Sequence, residues 1–367
     1  MVDEPEPAHT TSSSPRRRVV AKRTEAASRG SVGRMAAWVV ERVIQFEPGD
    51  FVESGLAHFG FHLRDGRYCA ISHGRHYLGL VGEDGRLLWT AARRPVFEGI
   101  PNIAAGLDFP IYVDVLPDGT LLVSNFGNAR LYRIDQETLT ARLLVDGRGL
   151  GLVDMGNCVV DDEGCIWINE VRGCRVWRFD RTGRPLETLG DGIAGFQAEV
   201  VGFEAARFNW VYDVRPGPDG SIYVLDSKNF ALRVIDSGSR SVRLLAGTGT
   251  PGYTGDGADA RSATFGSDPT ATFDGPISLS LDEAGNAYVG DRFNHVVRMI
   301  DRDSGIISTI AGRPEAAADA GSNPTERDPL RLNLPMISSM DYHRGRLFVP
   351  TDLLPDGSGE LAVLRRP

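Results

Sequence analysis

The chain has 367 residues, a formal net charge of -9 and 41% hydrophobic residues, the balance of a folded, water-soluble protein rather than a disordered one. The acidic excess argues against a nucleic-acid surface, which needs clustered Lys and Arg to displace counterions. Four cysteines (Cys69, Cys158, Cys165 and Cys174) without a CxxC read as small buried hydrophobes rather than a disulfide scaffold or a zinc site.

Residues 1–30 carry Pro, Ser, Thr and mixed charge and read as a mobile tail. Arg16, Arg17 and Arg18 are followed by VVAKRTEAASRG, which has no apolar core, so no export signal is expected and the chain reads as cytoplasmic. Met35–Val40 (MAAWVV) falls far short of the roughly 20 apolar residues of a membrane span. Residues 37–47 read as a strand; an amphipathic helix over 32–46 is the alternative, since Val32, Met35, Val39 and Val43 fall at helical spacing.

From here an internal repeat organises the chain, anchored on Gly66, Gly119, Gly164, Gly220, Gly285 and Gly345. Each anchor is followed by a short apolar run: RYCAIS, TLLVSN, CIWINE, SIYVLD, NAYVGD and RLFVPT. In the four middle units a polar turn follows (NFGN, EVRG, DSKN, DRFN), then a second apolar run (RLYRID, RVWRFD, LRVID, VRMID). Further strands appear in ARLLVDG, SVRLLAG and IISTIAG, and before the anchors in PIYVDVLPDG and PISLSLDEAG. Four short strands per unit make a four-stranded antiparallel sheet. Such a sheet cannot bury both faces alone, and stacking six copies radially predicts an all-β fold, a six-bladed β-propeller. The blades are expected near 50–97, 98–148, 149–192, 203–248, 266–312 and 328–367, forming one domain over 31–367. The last unit is one strand short, so residues 37–47 are expected to complete it.

One connection stands apart. LLAGTGTPGYTGDGADAR, residues 245–262, is far longer than the usual link of about 4–6 residues. It reads as an outer strand running into an inter-blade loop.

Units four and five, FNWVYDVRPGPDGSIYVLDSKNFALRVID and FDGPISLSLDEAGNAYVGDRFNHVVRMID, resemble NHL repeats. The 245–262 stretch resembles the linker found between blades in bacterial members, and the chain is identified as a diverged bacterial member of that six-bladed family. The resemblance is weaker in units one and six, and the glycine at the centre of the inner strand is replaced in nearly every unit. It implies a propeller but no single activity: the family includes interaction modules, RNA binders, an amidating lyase and sensor domains, and gluconolactonase-like and strictosidine synthase-like enzymes are distantly similar.

Propellers bind ligands where loops from every blade converge on the channel mouth. Inner strands running downward from that face place Asp108, Asn209, Asp274 and Asn333 at its rim, with Asn157, Trp210, Tyr112, Tyr212 and Asp213 close behind. Oxygens of Asn157, Asp213 and Asp108 suit a divalent cation such as calcium, the acid-and-amide set with which gluconolactonase-like enzymes polarise a carbonyl. Side-chain capping of a turn is the competing reading for Asp108, Asn209, Asp274 and Asn333. The second strands end in Asn125, Glu170, Asp226 and Asp291, and Glu170 is long enough to reach the mouth. Turn chemistry accounts for Asn128, Asn229 and Asn294, as Asn tolerates positive φ. Four histidines, His58, His62, His73 and His76, fall in unit one; the amidating lyase draws its zinc ligands from several blades, so its activity does not transfer. The expected catalytic set is Asp213, Tyr212, Glu170 and His58, with Tyr112, Trp210, Asn209 and Asp274 contacting ligand. Two functions follow: a lyase or hydrolase acting on a small molecule at the channel mouth, or a non-catalytic scaffold binding a protein or ligand there. A monomer without nucleic-acid or membrane partners is expected.

Overall fold

The computed structural model describes residues 38–46, 107–138, 140–267, 270, 275–315, 323–335, 337–351 and 359–366, and the backbone of five strands between residues 57 and 97. The chain is an all-β propeller of four-stranded antiparallel blades. Unit four shows the pattern: Val211–Pro216 pairs with Ile222–Asp226, then Ala231–Asp236, then Ser241–Ala246. A two-residue strand, Val201–Gly202, adds to its outer edge, and Val96–Phe97 does the same in parallel at the edge of unit two. In unit six Asp341–His343, Arg346–Pro350 and Gly359–Arg365 pair in order, and Val39–Phe46 pairs antiparallel with Gly359–Arg365.

The turn between the first two strands of a blade follows from its residues. In Asp161-Asp162-Glu163-Gly164 the aspartate carboxylate accepts from the backbone N of Glu163 and Cys165 at 3.0 and 2.8 Å. Gly164 takes φ 80°, a conformation that costs glycine little. The second strands Leu121–Asn125, Ile166–Glu170, Ile222–Asp226 and Ala287–Asp291 are buried at every position, because neighbouring blades cover both of their faces. One apolar cluster runs from Val113 through Trp167 to Val224, crossing units two to four; another joins Leu225 and Phe230 to Leu279 and Val289. The core therefore lies between blades.

At the opposite end of the blades the turns behave differently from the expectation. The left-handed φ falls not on Asn128, Asn229 or Asn294 but on the next residue: Ala129 at 53°, Phe230 at 48° and His295 at 57°. Asn229 and Asn294 serve as side-chain hooks. Each donates from Nδ2 to the carboxylate three residues earlier, Asp226 at 2.9 Å and Asp291 at 2.8 Å, and to a carbonyl of the inter-blade loop above, Gly195 at 2.7 Å and Gly252 at 3.0 Å. Among the described residues no helix is long and apolar enough to cross a membrane.

Candidate functional site

The inner strands Pro110–Val115, Val211–Pro216, Ser278–Leu281 and the residues leading into Cys158–Val160 bring one polar network together. Asp213 is 1% exposed. Its Oδ1 accepts from Asn157 Nδ2 at 2.8 Å, and its Oδ2 accepts from the backbone N of Leu279 at 3.0 Å. Arg215, two residues on and so on the same face of the strand, pairs with both oxygens, Nε at 3.1 Å and Nη2 at 3.3 Å. Its Nη1 donates to the Tyr112 phenol at 2.7 Å. The network thus spans units two to five.

Burial raises the Asp213 carboxyl above its usual range, and Arg215, the Leu279 N–H and Asn157 pull it partly back. Burial also opposes the charge on Arg215, but Asp213, Tyr112 and Asp341 outweigh it and hold the guanidinium charged. The Tyr112 phenol is pushed well above its normal value by burial, against Arg215 and with help from Asp114, Asp213 and Asp341; it stays protonated and can only donate or accept a hydrogen bond.

Of the expected residues, the structure gathers Asn157, Asp213 and Tyr112. Asn209 and Trp210 sit instead in a shared turn hook: the Asn209 backbone N donates to Asp226 Oδ1 at 2.6 Å, and their carbonyls accept from Lys228 N and Ser227 N. Trp210 takes φ 55° and lies under Lys228 Nζ, 4.6 Å from the ring centre. Tyr212 is half-buried and is the extra residue of a β-bulge between Val211 and Asp213. The Asp108 carboxylate lies over the backbone of Gly127, within 2.6 Å of where a Cβ there would sit, so it packs against the hairpin of its own blade. Asp274 and the side chain of His58 lie outside the described residues, as do His73 and His76.

Glu170 does not reach the mouth. It is completely buried, accepting from Val153 N at 2.7 Å and Trp177 Nε1 at 2.9 Å, with Arg175 Nε 3.2 Å away. Its extra methylene lets it fold back under the loop rather than outward. Asp154 is used similarly, holding Val171 N, Arg172 N and the Arg172 side chain.

The donor set does not fit calcium. Every group addressing the Asp213 carboxylate is an N–H, and Arg215 already supplies the positive charge, whereas calcium takes six to eight oxygens. The second acidic group, Asp161, Glu163 and Cys165, offers ligand atoms within 4.8 Å of one another. Arg178 occupies it, donating to Glu163 at 2.9 Å and lying 3.5 Å from the Cys165 sulfur.

Two features were missed from the sequence. Arg215 is the centre of the network, and its signal was a charged residue two positions from Asp213 in the otherwise apolar inner strand VYDVRP. The other is a cavity of about 460 Å³ on the face of the D-x-x-G turns, lined by residues including Asp114, Leu116, Arg133, Leu144, Asp162 and Arg181. Asp114 stands two residues beyond Tyr112, so the cavity backs onto the lower end of the channel network.

No protein-family model matches the chain. It is 28% identical over 117 residues to NHL repeat-containing protein 2 of Gallus gallus, covering 32% of this chain and 15% of that protein. The Homo sapiens protein of that name is 31% identical over 90 residues, covering 24% and 11%. The chain thus matches a small fraction of these relatives' length. Among solved structures, the Xanthomonas campestris gluconolactonase superposes with a TM-score of 0.55 at 15% identity, covering 90% of this chain and 92% of that one. Virginiamycin B lyase of Staphylococcus aureus superposes with 0.53 at 12% identity, covering 88% and 99%. At these identities the likeness is one of fold, and together the matches support a β-propeller carrying NHL-type repeats.

Proposed function

We propose that the chain is a cytoplasmic small-molecule-binding propeller of six blades, closed by pairing of Val39–Phe46 with Gly359–Arg365, whose ligand is held at the channel mouth above Arg215. The observation that carries it is the buried Asn157–Asp213–Arg215–Tyr112 network. Four polar side chains drawn from three blades converge where apolar packing would have closed the channel more cheaply, since burying charge costs unless it is paired and hydrogen-bonded. An Arg held rigidly by a carboxylate and next to a protonated phenol is a donor platform for a carbonyl or carboxylate oxygen. Ring contacts support the six-blade count: Val211–Pro216 touches both Cys158–Val160 and Ser278–Leu281, and Ala57–His62 touches both Pro110–Val115 and Asp341–His343.

Lyase or hydrolase chemistry is the finer proposal, prompted by enzymes of similar fold. Asp213 is a poor general base here, because its lone pairs already face Asn157, Leu279 N and Arg215. Arg215 and Tyr112 would instead stabilise charge developing on a ligand oxygen. The test is a thermal-shift screen with lactones, sugar acids and cyclic peptides. A true ligand at about 100 times its dissociation constant stabilises by about 2.7 kcal/mol, and Tyr112→Phe should weaken it. If no compound shifts the melting temperature, or the shift is unchanged in Tyr112→Phe, the reading fails.

A further inference from the structure

The inter-blade loops at residues 190–208 and 247–265 are two copies of one structure. They have the same length and the same main-chain hooks. Gly190 N donates to Phe203 O at 3.1 Å as Gly247 N does to Ala260 O at 3.0 Å, and Gly195 N donates to Phe208 O at 3.2 Å as Gly252 N does to Phe265 O at 3.1 Å. Each covers a completely buried arginine on the third strand of the blade that follows, Arg233 and Arg298.

The two arginines are served very differently. Arg298 Nη1 donates to Thr264 O at 2.8 Å, and its Nη2 donates to Thr254 O at 2.7 Å and to Asp256 Oδ1 at 2.8 Å. The residues in the same places of the earlier loop are Arg207, Gln197 and Glu199, and no hydrogen bond joins them to Arg233. Its Nη1 has Asp226 at 3.5 Å, and its Nη2 has no hydrogen-bond partner.

The loop residues explain the difference. Asp256 is turned onto Arg298 by Gly255 and Gly257, at φ 99° and 80°. Their counterparts are Ala198 and Val200, which stay out of the left-handed region, where a Cβ is disfavoured and a branched one most of all. The arms of the later loop also meet through their main chains, Thr264 N on Thr254 O at 3.4 Å. In the earlier loop the Gln197 side chain stands between them, accepting from Arg207 N and donating to Ala205 O, both at 2.9 Å. The arms are spread by one side chain, and Glu199 remains exposed.

We propose that Arg233, beneath the 190–208 loop, binds a small anion bearing a carboxylate or phosphate group, which meets Nη2 as the Asp256 carboxylate meets Arg298, and that the loop closes over it as a lid. A planar guanidinium fork shielded from water suits either group. The loop has the hooks to seat itself but lacks the internal clamp that its sister has, so it can open to admit the anion. This site is separate from the channel network.

Hydrogen exchange of the full chain tests it, with residues 253–259 as the internal reference. Inorganic phosphate and glutarate are added in turn against sodium chloride at equal ionic strength. One of them is expected to slow exchange at residues 196–202 by about tenfold while leaving 253–259 unchanged, and which one does so names the group. The loop graft Gln197→Thr, Ala198→Gly, Glu199→Asp and Val200→Gly should slow exchange at 196–202 without any anion and abolish the response. If neither anion slows exchange, or the graft responds as the wild type does, the proposal is overturned. It is also overturned if Glu199→Gln alone speeds exchange at 196–202, since Glu199 would then be the latch.

Discussion

Arg215 reaches from its own blade to the phenol of Tyr112, two blades away, Nη1 to Oη at 2.7 Å, and the same guanidinium lies 5.2 Å from the centre of that ring. Asn157, from the blade between, donates to Asp213 on the arginine's own strand, so one arginine braces the inner strands against each other.

Removing the arginine should therefore cost more than removing the phenol. Arg215→Met leaves the Asp213 carboxylate buried without its counterion, which costs about 3–5 kcal/mol when one partner of a buried pair is lost. Tyr112→Phe removes one hydrogen bond to a charged group, worth about 1.5–3 kcal/mol. Urea unfolding of both variants, monitored by tryptophan fluorescence, checks the order. A cost for Arg215→Met at or below that of Tyr112→Phe would show that the guanidinium is not the brace.

Asp226 gives a pH dependence of known sign. Burial pushes its carboxyl up to about 7, against Asn229, the Asn209 N–H and Arg233, while in the unfolded chain an aspartate titrates near 3.9. Between those values the folded state holds a proton that the unfolded state has released. This group's contribution to stability is therefore largest below about pH 4 and is lost as pH rises through about 7. The carboxylates held low by turn hydrogen bonds, such as Asp236 through Ser239 and Asp301 through Ser304, act in the opposite direction and fade only in stronger acid. Comparing wild type with Asp226→Asn at pH 5 and pH 8 isolates this carboxyl's contribution: the variant should gain stability relative to wild type on going to pH 8. A difference that is flat or reversed would mean that Asp226 is ionised throughout.

Glu170 separates a structural carboxylate from a ligand-binding one. Its oxygens hold Val153 N and the buried Trp177 indole, so Glu170→Ala leaves the indole N–H unsatisfied at about 1–3 kcal/mol. Unfolding should shift accordingly, while the dissociation constant of any channel ligand stays within about twofold, as expected for a residue without ligand contact. A tenfold change in affinity with unaltered stability would return Glu170 to the mouth.

How far each feature could be read depended on whether its cause was local. Strand and turn within a unit are set by neighbours in sequence: alternating apolar residues, an aspartate that caps its own turn, and a glycine three residues on, as in Asp161 to Gly164. The partners of Asp213 are set by the ring, which brings Asn157 and Leu279 beside it from other blades, and no spacing announces such a contact. Glu170 was misjudged because its length reads equally as reach toward solvent and as reach back under Val153; only the buried Trp177 indole decides. Chain position leads to the expectation of Asp108 and Asn209 at the rim with Trp210 close behind, yet their backbone groups and ring are taken up by the hairpin beside them. The internal order of the loop at 245–262 has no signal in its own residues, because it comes from Arg298, a residue of the next blade, at its centre.

The strand Val39–Phe46 carries the last prediction. Val43 is buried opposite Ala362, in the same apolar cluster as Trp38 and Tyr288, whose rings meet edge to face at 5.5 Å. Glu41, on the same strand, pairs with Arg346 at 2.8 Å with both side chains partly exposed. If this strand completes the final blade, Val43→Asp places an unpaired charge in the packing between blades and should destabilise by about 3 kcal/mol or more. Glu41→Gln removes only a surface ion pair and should cost about 0–1 kcal/mol. Urea unfolding of the two variants side by side is the measurement. Equal, small effects would mean that the strand is not part of the cooperative fold, and the ring would then have to close without it.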